Sequence, residues 1–298
     1  MRLLVLGSGG MLGRAVATDA RRLGHDVVAL THADLDVTDA DHVTRVVTAA
    51  EPRAVVNCTG FTDVDGAESD EGRALRVNGD GAGNVARGAA EASARVVHVS
   101  TDYVFDGSKR EPWVESDPVA PLQAYGRTKL AGEVAVAESG AEHAIVRTAW
   151  LFGAGGPNFV ATMLRLGAER DEVTVVSDQR GGPTWTGHLA AALIEVAERE
   201  GDVGLFHASA AARWPVHVGP PRWSVTTVTS SRSAARRSIV ATKFGPPAPN
   251  SHAARTIACS GFAFATARSP ASFVRPYAWS GATGSDSSHG SRLEPSKT

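Results

Sequence analysis

Tyr125-Gly126-Arg127-Thr128-Lys129 places a phenol and an amine four residues apart, the spacing that sets two side chains on one face of a helix. From that face both can act on one reacting carbonyl. A free phenol titrates near pH ~10, so its use as a proton donor or acceptor near neutrality requires a nearby positive charge to stabilise the phenolate. Lys129 is placed to supply it. The same spacing also occurs on surface helices that catalyse nothing, so the rest of the chain must decide. A second chemistry-bearing stretch, Gly7-Ser8-Gly9-Gly10-Met11-Leu12-Gly13, follows the apolar run Leu3–Leu6 and precedes a helical pattern from Arg14 to Leu23. Strand, glycine turn and helix in that order read as the phosphate-binding start of a dinucleotide fold, the alternative being a glycine-rich turn in another α/β protein. Gly7 permits the tight turn, Gly10 lets a pyrophosphate approach the backbone, and Gly13 lets the helix pack closely. The spacing is Gly-x-x-Gly-x-x-Gly rather than the commoner Gly-x-Gly-x-x-Gly.

The elements that must position these groups alternate through the first two thirds of the chain. Strands are expected at Arg2–Leu6, Asp26–Leu30, Ala54–Cys58, Arg95–Ser100, Ala144–Thr148 and Val173–Val176, with amphipathic helices between most of them. That alternation predicts an α/β fold, a doubly wound parallel sheet of the Rossmann type, with active groups at the carboxyl ends of the strands. Gly7 to Gly13, Asn57 to Asp65, Ser100-Thr101-Asp102 and Arg147-Thr148-Ala149-Trp150 all fall at such ends.

Composition bounds the rest. A chain of 298 residues holds one large α/β domain with a smaller lobe, and 30 Lys and Arg against 32 Asp and Glu argue against a dedicated nucleic-acid binder. The leading apolar run is too short for a signal peptide and no run is long enough to span a bilayer, so the expected location is cytoplasmic, with no membrane partner. Cys58 and Cys259 form neither a disulfide framework nor a metal-ligand pattern, and both read as ordinary thiols with no structural metal.

Several linked motifs carry a resemblance. Asn57-Cys58-Thr59-Gly60-Phe61-Thr62-Asp63-Val64-Asp65-Gly66-Ala67-Glu68, Ser100-Thr101-Asp102-Tyr103-Val104-Phe105-Asp106-Gly107, Leu130-Ala131-Gly132-Glu133, Arg147-Thr148-Ala149-Trp150, Asn158-Phe159-Val160 and Ser177-Asp178-Gln179-Arg180-Gly181-Gly182-Pro183-Thr184 occur in order. Together with the glycine turn and the Tyr/Lys pair, they resemble the extended short-chain dehydrogenase/reductases, and within them the dTDP-4-dehydrorhamnose reductases. The match runs from Met1 to about Ala212. It implies NADPH or NADH as hydride donor and a 4-keto-6-deoxy sugar nucleotide as substrate. On that basis Tyr125 is the general acid, Lys129 lowers its pKa and holds the nicotinamide ribose, and Thr101 hydrogen-bonds the keto oxygen.

The same resemblance implies cofactor contacts from Gly7, Gly10, Met11, Leu12, Gly13, Asp36, Val37, Gly60, Phe61 and Thr62 beside Tyr125 and Lys129, and substrate contacts from Thr101, Asp102 and Trp150, with Thr62 a further substrate contact. Thr101 alternatively is a strand-terminal turn residue, Asp102 alternatively caps the turn that follows it, Trp150 alternatively packs at the rim, and Asp34, Asp36, Asp39 and Asp41 alternatively form a solvated turn and helix N-cap. Tyr103 follows Asp102 where the related dehydratases carry Glu; without that second acid-base group, simple reduction is the expected reaction. The second strand ends Ala29-Leu30-Thr31-His32 with no acidic residue to repel a 2′-phosphate, so both NADPH and NADH are admitted. Arg14 stands where some relatives carry an acid linked to a metal, and no metal requirement is carried over. A noncatalytic, cofactor-binding regulatory subunit of the same fold is the alternative reading. Oligomeric state is open, a homodimer included.

Residues 1–150 are thus expected to form the dinucleotide-binding domain and 151–212 the segments of a substrate lobe. From Arg213 onward the pattern breaks. That stretch holds eleven basic and two acidic residues, so formal charge turns from −11 before it to +9 within it. Ser, Pro, Ala and Arg dominate, helical periodicity stops, and no family motif continues. Residues 213–298 are therefore expected to be an irregular tail produced by a shifted reading frame, leaving the substrate lobe incomplete. Its single dibasic pair, Arg236-Arg237, does not make a nucleic-acid patch.

Overall fold

Leu3, Leu4, Val5 and Leu6 are all buried, as an uninterrupted apolar run requires when a strand is covered on both faces. The computed structural model describes residues 1–170, 172–176, 179, 181–199, 201–210, 225–229 and 262–266. Strands β1 (Arg2–Leu6), β2 (Asp26–Leu30), β3 (Ala54–Asn57), β4 (Arg95–Thr101), β5 (His143–Thr148), β9 (Gly204–Ala210) and β11 (Phe262–Thr266) form one sheet in the order β11-β9-β5-β4-β3-β1-β2. Every pair is parallel except β11 with β9. The chain moves outward from β1 to β2 and then returns past β1 to β3, so the crevice for a ligand lies between the carboxyl ends of β1 and β3.

Two helical layers cover the sheet. Helices α1 (Met11–Arg22) and α8 (Thr186–Glu198) pack over Leu3, Val5, Val97, Val99 and Val146 on one face. On the other, α2 (Ala40–Ala50), α5 (Gly81–Glu91) and α6 (Ala124–Ala137) pack over Leu4, Leu6, Val55, Val96 and Ile145. Short helices α3 (Val64–Ser69) and α4 (Glu71–Leu75) and a π-turn (Arg76–Asp80) lead into α5. The carboxylates of Asp39, Asp63 and Asp70 accept the amides of His42, Gly66 and Arg73 and so start α2, α3 and α4.

One expected strand lies elsewhere. Instead of extending the main sheet, β7 (Glu172–Val176) pairs antiparallel with β10 (Val225–Thr229), and β9 takes the sixth place. The helix before it, α7 (Phe159–Glu169), buries no residue, so nothing presses β7 against the domain core. A third small sheet joins β6 (Leu151–Phe152) to β8 (Thr184–Trp185). Apart from β10 and β11, the expected shifted-frame tail falls outside the described residues. No helix of the described residues is long and apolar enough to cross a membrane.

Candidate active site

The glycine turn has the geometry a pyrophosphate cradle needs. Gly7 sits at φ +75, where a side chain is disfavoured, and a Cβ on it would stand 2.9 Å from the Cys58 carbonyl group. A Cβ on Gly13 would collide with the Gly7 carbonyl oxygen, so only glycine lets α1 begin this close to the turn. Gly10 caps α1 without any side-chain hydrogen bond, leaving the first amides of the helix open at its positive end. The adjoining cleft, about 260 Å³, is lined by Gly7, Gly9, Gly10, His32, Asp36, Val37, Thr59 and Gly60 among others. These residues fit a dinucleotide at the crevice between β1 and β3.

Not every expected contact points there equally. The Leu12 side chain enters the core, which leaves only its amide for a ligand. Met11 begins α1 beside Asn158 and Gly156. Asp36 lines the cleft while one carboxylate oxygen accepts both the amide and the hydroxyl of Thr38, so the cleft and turn readings both apply to it. Asp34 caps Thr31 in the same way. Phe61 is held by Asn78, whose side chain accepts from the Phe61 amide at 2.8 Å and donates to its carbonyl at 3.1 Å. Thr62 is exposed next to Gly60.

At the carboxyl end of β4, the Thr101 hydroxyl stands near enough to the Tyr125 phenol to favour its charged form. The Thr101 oxygen also accepts the Tyr103 amide at 3.2 Å, and its hydroxyl lies 3.2 Å from the Asp102 carboxylate, to which it donates. Burial pushes the Asp102 carboxyl up to about 6, although the hydroxyl of Thr101 and nearby amides favour its charged form. Its carboxylate accepts from Thr101, and it is the Thr101 side chain that caps the turn that follows. Tyr103 and Tyr125 stand edge to face, with centroids 5.4 Å apart. Burial first, and then the Asp102 charge, raise the Tyr125 phenol above its ordinary value. Lys129, expected to lower the phenol, is not among the groups that shift it. The Lys129 ammonium instead donates to the Val99 carbonyl at 2.6 Å. Burial brings that ammonium down to about 8, against the favourable charge of Glu133.

Close approach of α6 depends on two glycines. A Cβ on Gly126 would lie 2.2 Å from the Tyr103 carbonyl oxygen, and one on Gly132 would lie 2.1 Å from that of Asn78. Both contacts are with backbone, which cannot rotate away. Glycine at these positions lets Tyr125 and Lys129 reach β4.

Beneath this face lies a group of residues that the motif matches include without assigning a role. Glu133 accepts two bonds from the Arg147 guanidinium, at 2.8 and 2.6 Å, and one from the Ser100 hydroxyl at 2.5 Å. All three side chains are buried. Ser100 pairs in register with Arg147, and Arg147 with His207, so the three share one face of adjacent strands. The signal in the sequence was Arg147 itself: a charge inside a strand buried on both faces requires a partner.

Trp150, just past β5, has φ +46, a strained conformation for a bulky residue. It packs at 62° to Phe159 with centroids 5.4 Å apart, and its carbonyl accepts the Thr184 amide. Among the described residues no group of three or more His, Cys, Asp or Glu is arranged to hold a metal ion.

Comparison with known proteins places this geometry. A family model described as the RmlD substrate binding domain matches residues 1–218. A dTDP-4-keto-6-deoxy-D-glucose reductase of Streptomyces niveus is 47% identical over 216 residues, covering 72% of this chain and 75% of that protein. A dTDP-4-dehydrorhamnose reductase of Mycolicibacterium smegmatis is 44% identical over 210 residues, 70% of this chain and 64% of its own length. Among solved structures, a dTDP-4-dehydrorhamnose reductase of Clostridium acetobutylicum superposes with a TM-score of 0.69 at 40% identity, over 72% of this chain and 76% of the other. One from Bacillus anthracis, in complex with NADP, gives 0.69 at 36% identity, over 72% and 77%.

Proposed function

Since the chain belongs to the family of the RmlD substrate binding domain, we propose that it reduces the C4 keto group of a dTDP-linked 4-keto-6-deoxyhexose with NADPH or NADH. The observation that carries this reading is the convergence of Thr101, Tyr125 and Lys129 at the end of β4, where the Lys129 ammonium donates to the Val99 carbonyl, two strands from the glycine cradle at the end of β1. A bound dihydronicotinamide supplies the hydride to C4. Tyr125, neutral because its phenol stands above the ordinary value, holds the proton that the developing alkoxide takes, and Thr101 orients the oxygen. Lys129 holds the ribose and, once the phenol has given up its proton, balances the phenolate charge. Trp150 and Asp102 border the sugar. The noncatalytic alternative loses ground because the hydroxyl pair and the lysine are all in place.

The favoured product is dTDP-L-rhamnose, from dTDP-4-dehydrorhamnose. The Streptomyces niveus relative supports a second substrate, dTDP-4-keto-6-deoxyglucose, of the kind used for antibiotic sugars. Cofactor oxidation measured with each sugar nucleotide in turn tests the proposal, and oxidation with neither overturns it. The reading of residues 213–298 as a shifted frame is supported by family matching that ends at residue 218, while about a quarter of the Streptomyces niveus relative lies outside its matched stretch. Sequencing the coding DNA decides it: the idea fails if neither alternative frame after Ala212 restores a Trp-bearing helix start, an Arg/Pro-rich loop and an amphipathic closing helix.

Lys129 makes cofactor affinity depend on pH. Because burial lowers its pKa, the ammonium is present below about 8 and lost as pH rises through that value. NADPH affinity is therefore expected to be flat near neutrality and to fall by about tenfold above this window, the worth of one charge-assisted hydrogen bond. Lys129→Met should bind weakly at every pH, with no step. A step that persists in the variant would assign the titration to another group.

A further inference from the structure

Lys129 and Thr101 come from different elements, yet both depend on the last three residues of β4. The Val99 carbonyl holds the Lys129 ammonium, and Thr101 carries the hydroxyl that meets Tyr125. Ser100 lies between them and points the other way, onto Glu133 of α6, one helical turn beyond Lys129. The Arg147 guanidinium fixes Glu133 with two hydrogen bonds from β5. One buried carboxylate therefore joins α6, β4 and β5 at the level of the reacting groups.

We infer that Glu133 is the positioning residue of this site: held by Arg147, it fixes Ser100 and thereby sets where the Val99 carbonyl and the Thr101 hydroxyl stand relative to Lys129 and Tyr125. The inference rests on the reductase reading above and extends it to a residue that touches neither substrate nor cofactor. Glu133 has a second effect, through charge. Lys129 is faced by Glu133 on its own helix, by the Cys58 thiol after β3 and by His98 on β4. Burial raises the thiol to about 12 and lowers the imidazole well below its usual range, so both are neutral near pH 7. Arg147 offsets part of the carboxylate charge, but Glu133 is the group that favours the charged form of Lys129. The carboxylate thus keeps the lysine protonated as well as holding the strand end.

Two variants of the full-length chain separate these effects. Glu133→Gln keeps an acceptor for Ser100 and removes the charge; ¹⁵N-resolved titration of the lysine ammonium groups in the ligand-free protein should show the Lys129 midpoint lowered by about one unit. Ser100→Ala keeps the ion pair and removes the link to β4. It should leave that midpoint and the unfolding temperature near those of the parent, leave NADPH affinity within about twofold, and slow single-turnover hydride transfer by about tenfold or more. Ser100→Thr, which retains the hydroxyl, should restore the rate. An unmoved Lys129 midpoint in Glu133→Gln, or parental transfer by Ser100→Ala, overturns the inference. If the parent chain transfers no hydride to either sugar nucleotide, the reductase reading fails instead, and the lysine titration still decides the role of Glu133.

Discussion

Tyr125→Phe is expected to lower turnover by roughly 10²- to 10⁴-fold while NADPH affinity stays nearly unchanged, the usual worth of a positioned proton donor. The substitution removes only the hydroxyl. The ring keeps its edge-to-face contact with Tyr103, and Thr101 keeps its bonds to the Tyr103 amide and the Asp102 carboxylate. A loss of rate therefore reports the missing proton rather than a rearranged site. Steady-state kinetics beside a fluorescence titration of NADPH measure the two quantities, and turnover near that of the parent would remove Tyr125 from the mechanism.

Gly126→Ala tests the approach of α6 with a single methyl group. The added carbon would stand 2.2 Å from the Tyr103 carbonyl oxygen and 3.0 Å from the Pro121 ring, so the helix start must retreat by about an ångström. A displacement of that size at the reacting groups costs on the order of 10²-fold in rate, and overpacking of this kind costs about 1–3 kcal/mol of stability. Gly167→Ala on α7 is the matched control. A Cβ there meets nothing within 4 Å, so the change should be neutral or stabilising by up to about 1 kcal/mol. Denaturant unfolding and turnover, read together, check both. Parental activity in Gly126→Ala would show that the helix need not approach so closely.

The parts of the fold set by local pattern were legible in the sequence. Leu3 to Leu6 and Asp26 to Leu30 alternate with periodic helices, and β1 and β2 fall at the expected residues. The glycine turn was legible for the same reason, since backbone geometry alone dictates its composition. Position within a sheet is a different matter. Val173 to Val176 has the composition of a strand, but joining the central sheet depends on whether the preceding helix packs down, and α7 does not. The Tyr/Lys pair was legible from spacing, whereas the direction of the Tyr125 shift was not, because it depends on burial and on Asp102 across a turn. The π-turn holding Asn78 left no signal, because its extra residue is stabilised by contacts with Phe61 and Thr128 that are distant in sequence.

The row formed by Ser100, Arg147 and His207 bears on how the sheet assembles. Strands β3, β4 and β5 are rich in Val and Ala and buried on both faces, so hydrophobic burial alone scarcely distinguishes one alignment from its neighbours. Sliding β5 by one residue against β4 would carry Arg147 to the opposite face, away from Glu133, and would leave two charges buried apart in the interior. That penalty, about 3–5 kcal/mol for a broken buried pair, falls on the misaligned sheet and not on the native one. The ion pair under the reacting groups therefore also proofreads strand alignment: a chain that has threaded its central sheet wrongly cannot close this contact.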